Sequence, residues 1–208
     1  MKNNFNIIKV GVTNCYLLKS SRSNILIDTG YKGKAKIILE YIQSLGISPK
    51  SIKLIILTHA HYDHVGNALE LKKATGAKIL LYKDDLPLLD SGITTNQSIK
   101  PLNMWGNILL RKISSIDTKF SKVTPDILID SEFDLAEYGI NGMIIHTPGH
   151  SKGSVSILLN SGDAFIGDIA MNGLPLRLGA GEPVFGEDIE EVYQSWKKLV
   201  ENKANTLY

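Results

Sequence analysis

Three histidines and one aspartate stand within six consecutive residues, as His59, His61, Asp63 and His64. Imidazole nitrogens and carboxylate oxygens are the ligands that zinc and similar divalent ions prefer. The whole chain of 208 residues contains only five histidines, so this concentration is unusual. Clustering so many titratable groups without a metal ion would be costly if they were buried. The spacing therefore predicts a metal site rather than an ordinary polar loop.

The segments around this cluster predict the structure that positions it. Residues 52–58 form an apolar run rich in β-branched side chains, which predicts a strand buried on both faces. Residues 65–75 then predict a helix that ends at Gly76. Open α/β sheets place ligand sites where a strand ends and the chain runs into a helix. The cluster occupies such a position.

Apolar segments elsewhere predict an alternation of strands and helices. Strands are predicted at residues 5–10, 15–19, 24–28, 78–82, 127–129, 143–147, 154–159 and 164–167. Helices are predicted at residues 32–45 and 188–202, where apolar side chains recur with helical spacing. This alternation indicates an α/β fold with a sheet-containing core covered by helices.

The order of the motifs resembles that of the metallo-β-lactamase superfamily of hydrolases. Residues 59–64 match its HxHxDH motif, residues 147–151 (Thr-Pro-Gly-His-Ser) and 166–168 (Ile-Gly-Asp) match later motifs, and residues 24–30 resemble its early strand and Asp-Thr-Gly turn. The resemblance runs from about residue 10 to 170. It implies an αββα sandwich of two mixed β-sheets with outer helices, formed as a single domain by residues 1–208.

The resemblance also implies a ligand set for two metal ions. The first ion is expected to bind His59, His61 and His150, and the second Asp63 and His64, with Asp168 bridging the two. We expect up to two zinc ions, with iron or manganese as alternatives, and a metal-bound hydroxide as the nucleophile. Asp63 is in addition the candidate catalytic residue that takes up or delivers a proton.

Several residues near the predicted ligands are expected to support them. Asp28 and Thr58 are candidates for orienting the ligands. The alternative interpretation is that Asp28 is an ordinary turn residue and Thr58 an ordinary residue at the end of a strand. His146, the fifth histidine, is expected to be structural or to support a ligand rather than to bind the metal. Gly149 and Gly153 are expected to let the loop turn sharply and bring His150 inward.

The C-terminal region departs from the pattern of the superfamily, which normally supplies one more histidine to the second metal. No histidine follows His150, and residues 205–208 resemble the strand that would lead into the missing motif. We therefore expect that a last segment is missing and that the second site is incomplete and binds metal more weakly.

Residues 84–125 form a less regular segment that corresponds to an insertion over the site in the superfamily. Helical spacing within it predicts either a substrate lid, with Met104 and Trp105 facing the pocket, or a helix packed on the core or at a dimer interface.

The motifs favour a hydrolase that acts on a small ester-like substrate, a thioester or a lactone. A phosphodiesterase or nuclease, a diiron redox protein and a degenerate metal-binding member without turnover are the alternatives. The formal net charge of +2 gives no indication of a nucleic-acid surface, and His61 stands where the diiron relatives carry glutamate. A small-molecule partner is expected, and the oligomeric state, with a dimer as one option, is open.

Composition bears on the compartment. No apolar leader follows Met1, and no run of membrane-spanning length is present. A single cysteine, Cys15, excludes a disulfide within the chain and is expected to be buried and inert. These features favour a reducing cytoplasm.

Overall fold

The computed structural model describes residues 5–95, 100–113, 116–172 and 181–208. In these residues two β-sheets pack face to face, and helices cover their outer faces. The strands are β1 (Phe5–Val10), β2 (Thr13–Lys19), β3 (Asn24–Ile27), β4 (Ile52–Ile56), β5 (Lys78–Tyr82), β6 (Lys100–Pro101), β7 (Ile127–Ile129), β8 (Phe133–Asp134), β9 (Gly142–His146), β10 (Val155–Leu159), β11 (Asp163–Phe165), β12 (Phe185–Gly186) and β13 (Thr206–Leu207). The α-helices are α1 (Ala35–Ser44), α2 (Tyr62–Val65), α3 (Ala68–Thr75), α4 (Leu86–Ser91), α5 (Met104–Ile113) and α6 (Ile189–Glu201).

Both sheets are mixed. The first has the strand order β1-β2-β3-β4-β5-β7, in which β1 to β3 pair antiparallel and β3, β4, β5 and β7 pair parallel. The second has the order β13-β11-β10-β9-β8, and only its β11–β13 pair is parallel. A short antiparallel pair joins β6 to β12. The predicted sandwich of two mixed sheets is therefore confirmed.

Alternation along the central strands explains why their sequences are apolar throughout. In β3, Ile25 and Ile27 point between the sheets, whereas Leu26 packs on the side of the helices. In β4, Leu54 and Ile55 divide in the same way. Successive side chains of a strand point to opposite faces, so a strand covered on both sides needs apolar residues at every position.

Helix α6 covers the outer face of the second sheet. Its N-terminus is capped by Asp188, whose Oδ1 accepts hydrogen bonds from the amides of Glu190 (2.8 Å) and Glu191 (3.2 Å). Leu199 and Trp196 pack with the outward-facing residues of that sheet. Together with α1 and α3 on the first sheet, this helix completes the αββα layers.

The helix predicted for residues 65–75 is interrupted, and that prediction was wrong in one respect. The helical turn α2 ends at Val65, and α3 begins at Ala68. The side chain of Asn67 explains the break, because its Oδ1 accepts hydrogen bonds from the amides of Lys34 (2.9 Å) and Ala35 (3.1 Å) at the start of α1. At the same point the backbone carbonyl of His64 accepts a hydrogen bond from the amide of Thr29 (2.8 Å), which lies outside the helix.

Gly66, within this break, allows a close approach of two backbone segments. A β-carbon on Gly66 would meet the amide nitrogen of Lys32 and lie 2.6 Å from the carbonyl oxygen of Gly30. We expect Gly66→Ala to lower the free energy of unfolding by about 3 kcal/mol, because backbone atoms cannot move aside cheaply. Urea unfolding followed by circular dichroism measures this change.

Gly46→Ala is the matched control. Gly46 has a φ of 72°, but nothing lies within 4 Å of its added β-carbon. We expect Gly46→Ala to lower the free energy of unfolding by only about 1 kcal/mol, which is the strain of the left-handed conformation. Equal losses for the two variants would contradict the close approach at Gly66.

Among the described residues, no helix combines the length and the apolar character needed to cross a membrane. The predicted terminal strand is present as β13, which pairs parallel with β11. The segment at residues 84–125 contains α4, β6 and α5. Its residues 96–99 and 114–115 lie outside the described part of the chain.

Candidate metal centre

The candidate ligands come from loops at one edge of the sandwich. The HxHxDH loop follows β4 of the first sheet, whereas His150 lies between β9 and β10 and Asp168 follows β11 in the second sheet. The amide of Val155 donates a hydrogen bond to the carbonyl of Thr58 (2.8 Å) and joins the two sheets at this edge. The centre is thus built where strands of both sheets meet.

The structure brings His59, His61 and His150 together, as predicted. Their ligand atoms lie within 4.8 Å of one another, and all three side chains are buried. His61 Nδ1 and His150 Nε2 are 2.9 Å apart. A tetrahedral zinc ion with bonds of about 2.05 Å places its ligand atoms roughly 3.3 Å apart. The spacing of these two nitrogens is therefore close to what zinc requires.

Hydrogen bonds fix the tautomers of His150 and His59. His150 Nδ1 lies 2.9 Å from the carbonyl oxygen of Phe185, so this nitrogen carries the proton and Nε2 keeps its lone pair. Thr58 Oγ1 donates to Asp28 Oδ2 (2.7 Å) and therefore accepts from His59 Nδ1 (3.1 Å). His59 Nε2 is buried and has no hydrogen-bond partner among the described residues. A buried acceptor without a partner fits a bound cation.

A second group combines His59, His64 and Asp168, whose ligand atoms also lie within 4.8 Å of one another. His64 Nδ1 donates to Asp28 Oδ2 (2.7 Å), and its Nε2 lies 3.2 Å from Asp168 Oδ1. Asp168 Oδ2 is 3.9 Å from His150 Nε2. Asp168 therefore lies between the two groups, which is the position expected of a bridging carboxylate.

Asp28 and Thr58 form hydrogen bonds with the candidate ligands that they were predicted to orient. Asp28 is buried at the end of β3 with a φ of 58°, and its Oδ1 accepts from the amide of Thr58 (2.8 Å). Its Oδ2 accepts from both Thr58 Oγ1 and His64 Nδ1. One carboxylate thus sets the ring orientation of His64 directly and that of His59 through the threonine hydroxyl.

The ionisation of the histidines differs within the centre. Burial lowers the pKa of His59 well below its ordinary value, and three neighbouring histidines add to this effect. Burial also lowers the pKa of His64, but Asp168 and Asp28 outweigh burial and raise it well above the ordinary value. A raised pKa favours the protonated form of His64, and a cation must displace that proton, so cation binding by the second group weakens as the pH falls.

Asp63 belongs to neither group of ligand atoms, although it lines the same cavity. Thr13 Oγ1 donates a hydrogen bond to its Oδ2 at 3.4 Å. Burial raises the pKa of Asp63, and the nearby Asp168 raises it further, whereas His64 lowers it. Its predicted roles as a ligand of the second ion and as a proton carrier remain predictions.

Asp85 is a buried residue of the centre that sequence reasoning missed. It precedes α4, and its carboxylate accepts hydrogen bonds from the amides of Ala60 (2.7 Å) and Gly153 (2.8 Å). Only the Asp-Asp-Leu-Pro helix start marked this position in the sequence, and that pattern indicates a helix cap rather than a contact with the site.

The two loop glycines have different roles. Gly149 has a φ of 123°, so the predicted sharp turn is confirmed there. Gly153 does not adopt a positive φ, and the reason for glycine is instead a close approach: a β-carbon would lie 2.6 Å from the amide nitrogen of Asp85. Gly153 nevertheless lies in a turn, closed by a hydrogen bond from the amide of Ser154 to the carbonyl of Ser151 (3.4 Å), so the predicted turn is present there as well.

His146, predicted to be a structural or supporting residue rather than a metal ligand, packs away from the ligand groups. Its ring stacks on Tyr82 with centroids 4.0 Å apart and planes 2° from parallel, and its Nε2 lies 2.7 Å from the carbonyl oxygen of Lys152. It belongs to neither group of ligand atoms.

A cavity of about 630 Å³ opens over the centre. Besides the site residues, its lining includes Val12, Tyr31, Tyr62, Leu109, Ile116, Met171, Phe185 and Tyr208. Leu109 of α5 lines this cavity. Met104, which would face the pocket if this segment were a lid, is instead 69% exposed and is not part of the lining. The side chain of Trp105 lies outside the described part of the structure.

The layers of the fold and the gathered imidazoles define an αββα protein with a histidine-rich candidate metal centre. Residues 8–208 match the metallo-beta-lactamase superfamily. The chain belongs to this superfamily, as the motifs predicted.

Relatives and solved structures agree with that assignment. The chain is 32% identical to the "Beta-lactamase-like protein 2 homolog" of Drosophila melanogaster over 94% of its own length and 57% of that protein. It is 28% identical to "Hydroxyacylglutathione hydrolase GloC" of Haemophilus influenzae over 77% of its length and 68% of that protein. The FEZ-1 metallo-beta-lactamase of Legionella gormanii has the same fold, with a TM-score of 0.68, 22% identity and coverage of 98% of this chain and 76% of that one. The chain thus spans less than two thirds of the Drosophila relative.

Proposed function

We propose that this protein is a metal-dependent hydrolase that uses zinc to cleave a small ester-like substrate, a thioester or a lactone. The observation that carries this proposal is the convergence of buried imidazole nitrogens, in which Nδ1 of both His59 and His150 is held by a hydrogen bond and Nε2 of each belongs to the gathered ligand atoms. Zinc bound there supplies Lewis acidity, which lowers the pKa of water toward 7 and polarises a carbonyl group.

In this proposal the residues form two neighbouring metal-binding positions. The first position is held by His59, His61 and His150, and the second by Asp63 and His64, with Asp168 between them. Asp63 also carries a proton at its carboxylate, and its place in the cavity wall supports that role. Iron and manganese are the alternative metals, because imidazole and carboxylate oxygen suit them as well.

The relatives and the cavity support the choice of substrate class. A hydroxyacylglutathione is a thioester. The relative named as a hydrolase of this compound aligns with 77% of the length of this chain, at 28% identity. A volume of about 630 Å³ is within the range typical of pockets for small molecules. A small molecule is therefore the proposed partner. The single buried Cys15 supports the reducing cytoplasm as the proposed compartment.

A substrate panel tests this function. We expect the protein, purified without chelator, to hydrolyse an S-acyl glutathione thioester or an N-acyl homoserine lactone faster than bis(p-nitrophenyl) phosphate. Dialysis against a chelator should abolish turnover, and added zinc should restore it. Turnover that survives metal removal, or activity confined to the phosphodiester, would contradict the proposal.

A further inference from the structure

We propose that Asp85 is a positioning residue that holds the two ligand loops of the centre in register, an inference that rests on the proposed metal-dependent function. Asp85 is fully buried, and it belongs to the segment after β5 rather than to either loop. It acts through the backbone beside the ligands.

The contacts of Asp85 fall next to ligands on both sides. Its Oδ2 accepts from the amide of Ala60 (2.7 Å), which stands between His59 and His61 in the sequence. The same oxygen accepts from Ser151 Oγ (2.9 Å), and Ser151 directly follows His150. One carboxylate oxygen thus joins the loop that follows the first sheet to the loop of the second.

The other oxygen secures the second loop at a further point. Asp85 Oδ1 accepts from the amide of Gly153 at 2.8 Å. The absence of a side chain at Gly153 permits this contact, because a β-carbon there would lie 2.7 Å from Asp85 Cγ. The loop is therefore shaped to fit the carboxylate.

The buried charge of Asp85 also supports a role beside the candidate metal ligands. Burial of a carboxylate is costly, and no lysine or arginine forms an ion pair with Asp85 in the described parts of the chain. Burial raises the pKa of Asp85, whereas its hydrogen bonds to Ala60, Gly153 and Ser151 lower it. A cation at the adjacent histidines would supply the positive charge that is otherwise missing.

Asp85→Asn is the informative variant, because an amide keeps the shape of the carboxylate but has only one acceptor oxygen. In one orientation the NH2 group faces the amide of Gly153, and in the other it faces the amide of Ala60. In either orientation one of the two ligand loops loses its backbone hydrogen bond to this side chain. We expect zinc affinity, measured by competition with a chromophoric chelator, to fall about 10- to 100-fold. The visible absorption of the cobalt-substituted protein should change in shape, which reports altered ligand geometry.

Asp84→Asn is the matched control, because it removes the same charge from an exposed side chain one residue earlier. Its zinc affinity should stay within about twofold of that of the unmodified protein. Melting temperatures with zinc and with chelator separate positioning from general stability. For Asp85→Asn we expect the increase in melting temperature on adding zinc to shrink.

Two outcomes would overturn the inference in distinguishable ways. If Asp85→Asn lowers both melting temperatures equally and leaves zinc affinity and the cobalt spectrum unchanged, Asp85 is merely structural and the proposed function stands. If the unmodified protein itself binds no zinc, cobalt, iron or manganese, the proposed function and this inference both fail.

Discussion

Replacing His150 with alanine is expected to reduce hydrolysis by about 10³-fold and to release the metal held by the first group. His150 Nε2 faces His61 Nδ1 at 2.9 Å, and its other nitrogen is fixed by the carbonyl of Phe185. Lewis-acid stabilisation of a transition state is worth several kcal/mol, and each 1.36 kcal/mol corresponds to a tenfold change in rate. Steady-state kinetics on the substrate found by the panel and elemental analysis of bound metal measure the two effects.

His146→Phe is the control for this experiment. The phenyl ring keeps the stacking on Tyr82, and only the contact of Nε2 with the carbonyl of Lys152 is lost. We expect metal content to be unchanged and stability to fall by about 1 kcal/mol. A loss of metal in His146→Phe as large as that in His150→Ala would contradict the ligand assignment.

Asp28→Asn is expected to weaken metal binding about 100-fold, because one atom exchange should change the tautomers of two ligands. The NH2 group of asparagine would donate to Thr58 Oγ1, whose own proton must then turn to His59 Nδ1. His59 would carry its proton on Nε2, where the metal needs a lone pair. His64 Nδ1 would also face the NH2 group, so His64 too would carry its proton on Nε2 and could not bind the metal through that nitrogen. Zinc titration against a competing chelator measures the loss.

The backbone at this position makes the substitution a chemical test rather than a conformational one. Asp28 has a φ of 58°, which asparagine adopts more readily than most residues do. Asp126→Asn is a suitable control, because Asp126 also accepts a backbone amide, that of Ile79 at 2.8 Å, but lies outside the centre. Unchanged zinc affinity in Asp28→Asn would show that the hydrogen bonds do not set the tautomers.

Much of the fold could be predicted because its strands carry a strong local signal. Strands β1, β5 and β7 have the predicted bounds, and α6 differs from the prediction by one residue at each end. The prediction of a continuous helix at residues 65–75 was wrong, because the chain turns at Asn67. The side chain of Asn67 forms hydrogen bonds with the start of α1, far away in the sequence. Local periodicity carries no information about such contacts.

The same limit applies to the centre. The spacing of residues 59–64 predicted a metal site, and the resemblance to the superfamily implied that His59, His61 and His150 come together. Sequence alone could not show that His59 also lies beside His64 and Asp168, or that Asp85 connects the loops. A buried aspartate that accepts backbone amides has no spacing rule, because its partners are 25 and 68 residues away.

The distribution of the ligands over both sheets has a consequence for folding. His61 and His150 are 89 residues apart in the chain, and the unfolded chain would have to close that loop to hold an ion between them. An ion that binds the folded sandwich but not the unfolded chain adds to its stability by mass action, about 2.7 kcal/mol at a concentration 100 times the dissociation constant. Metal supply would then set how much of the protein is folded, as well as how much of it is active.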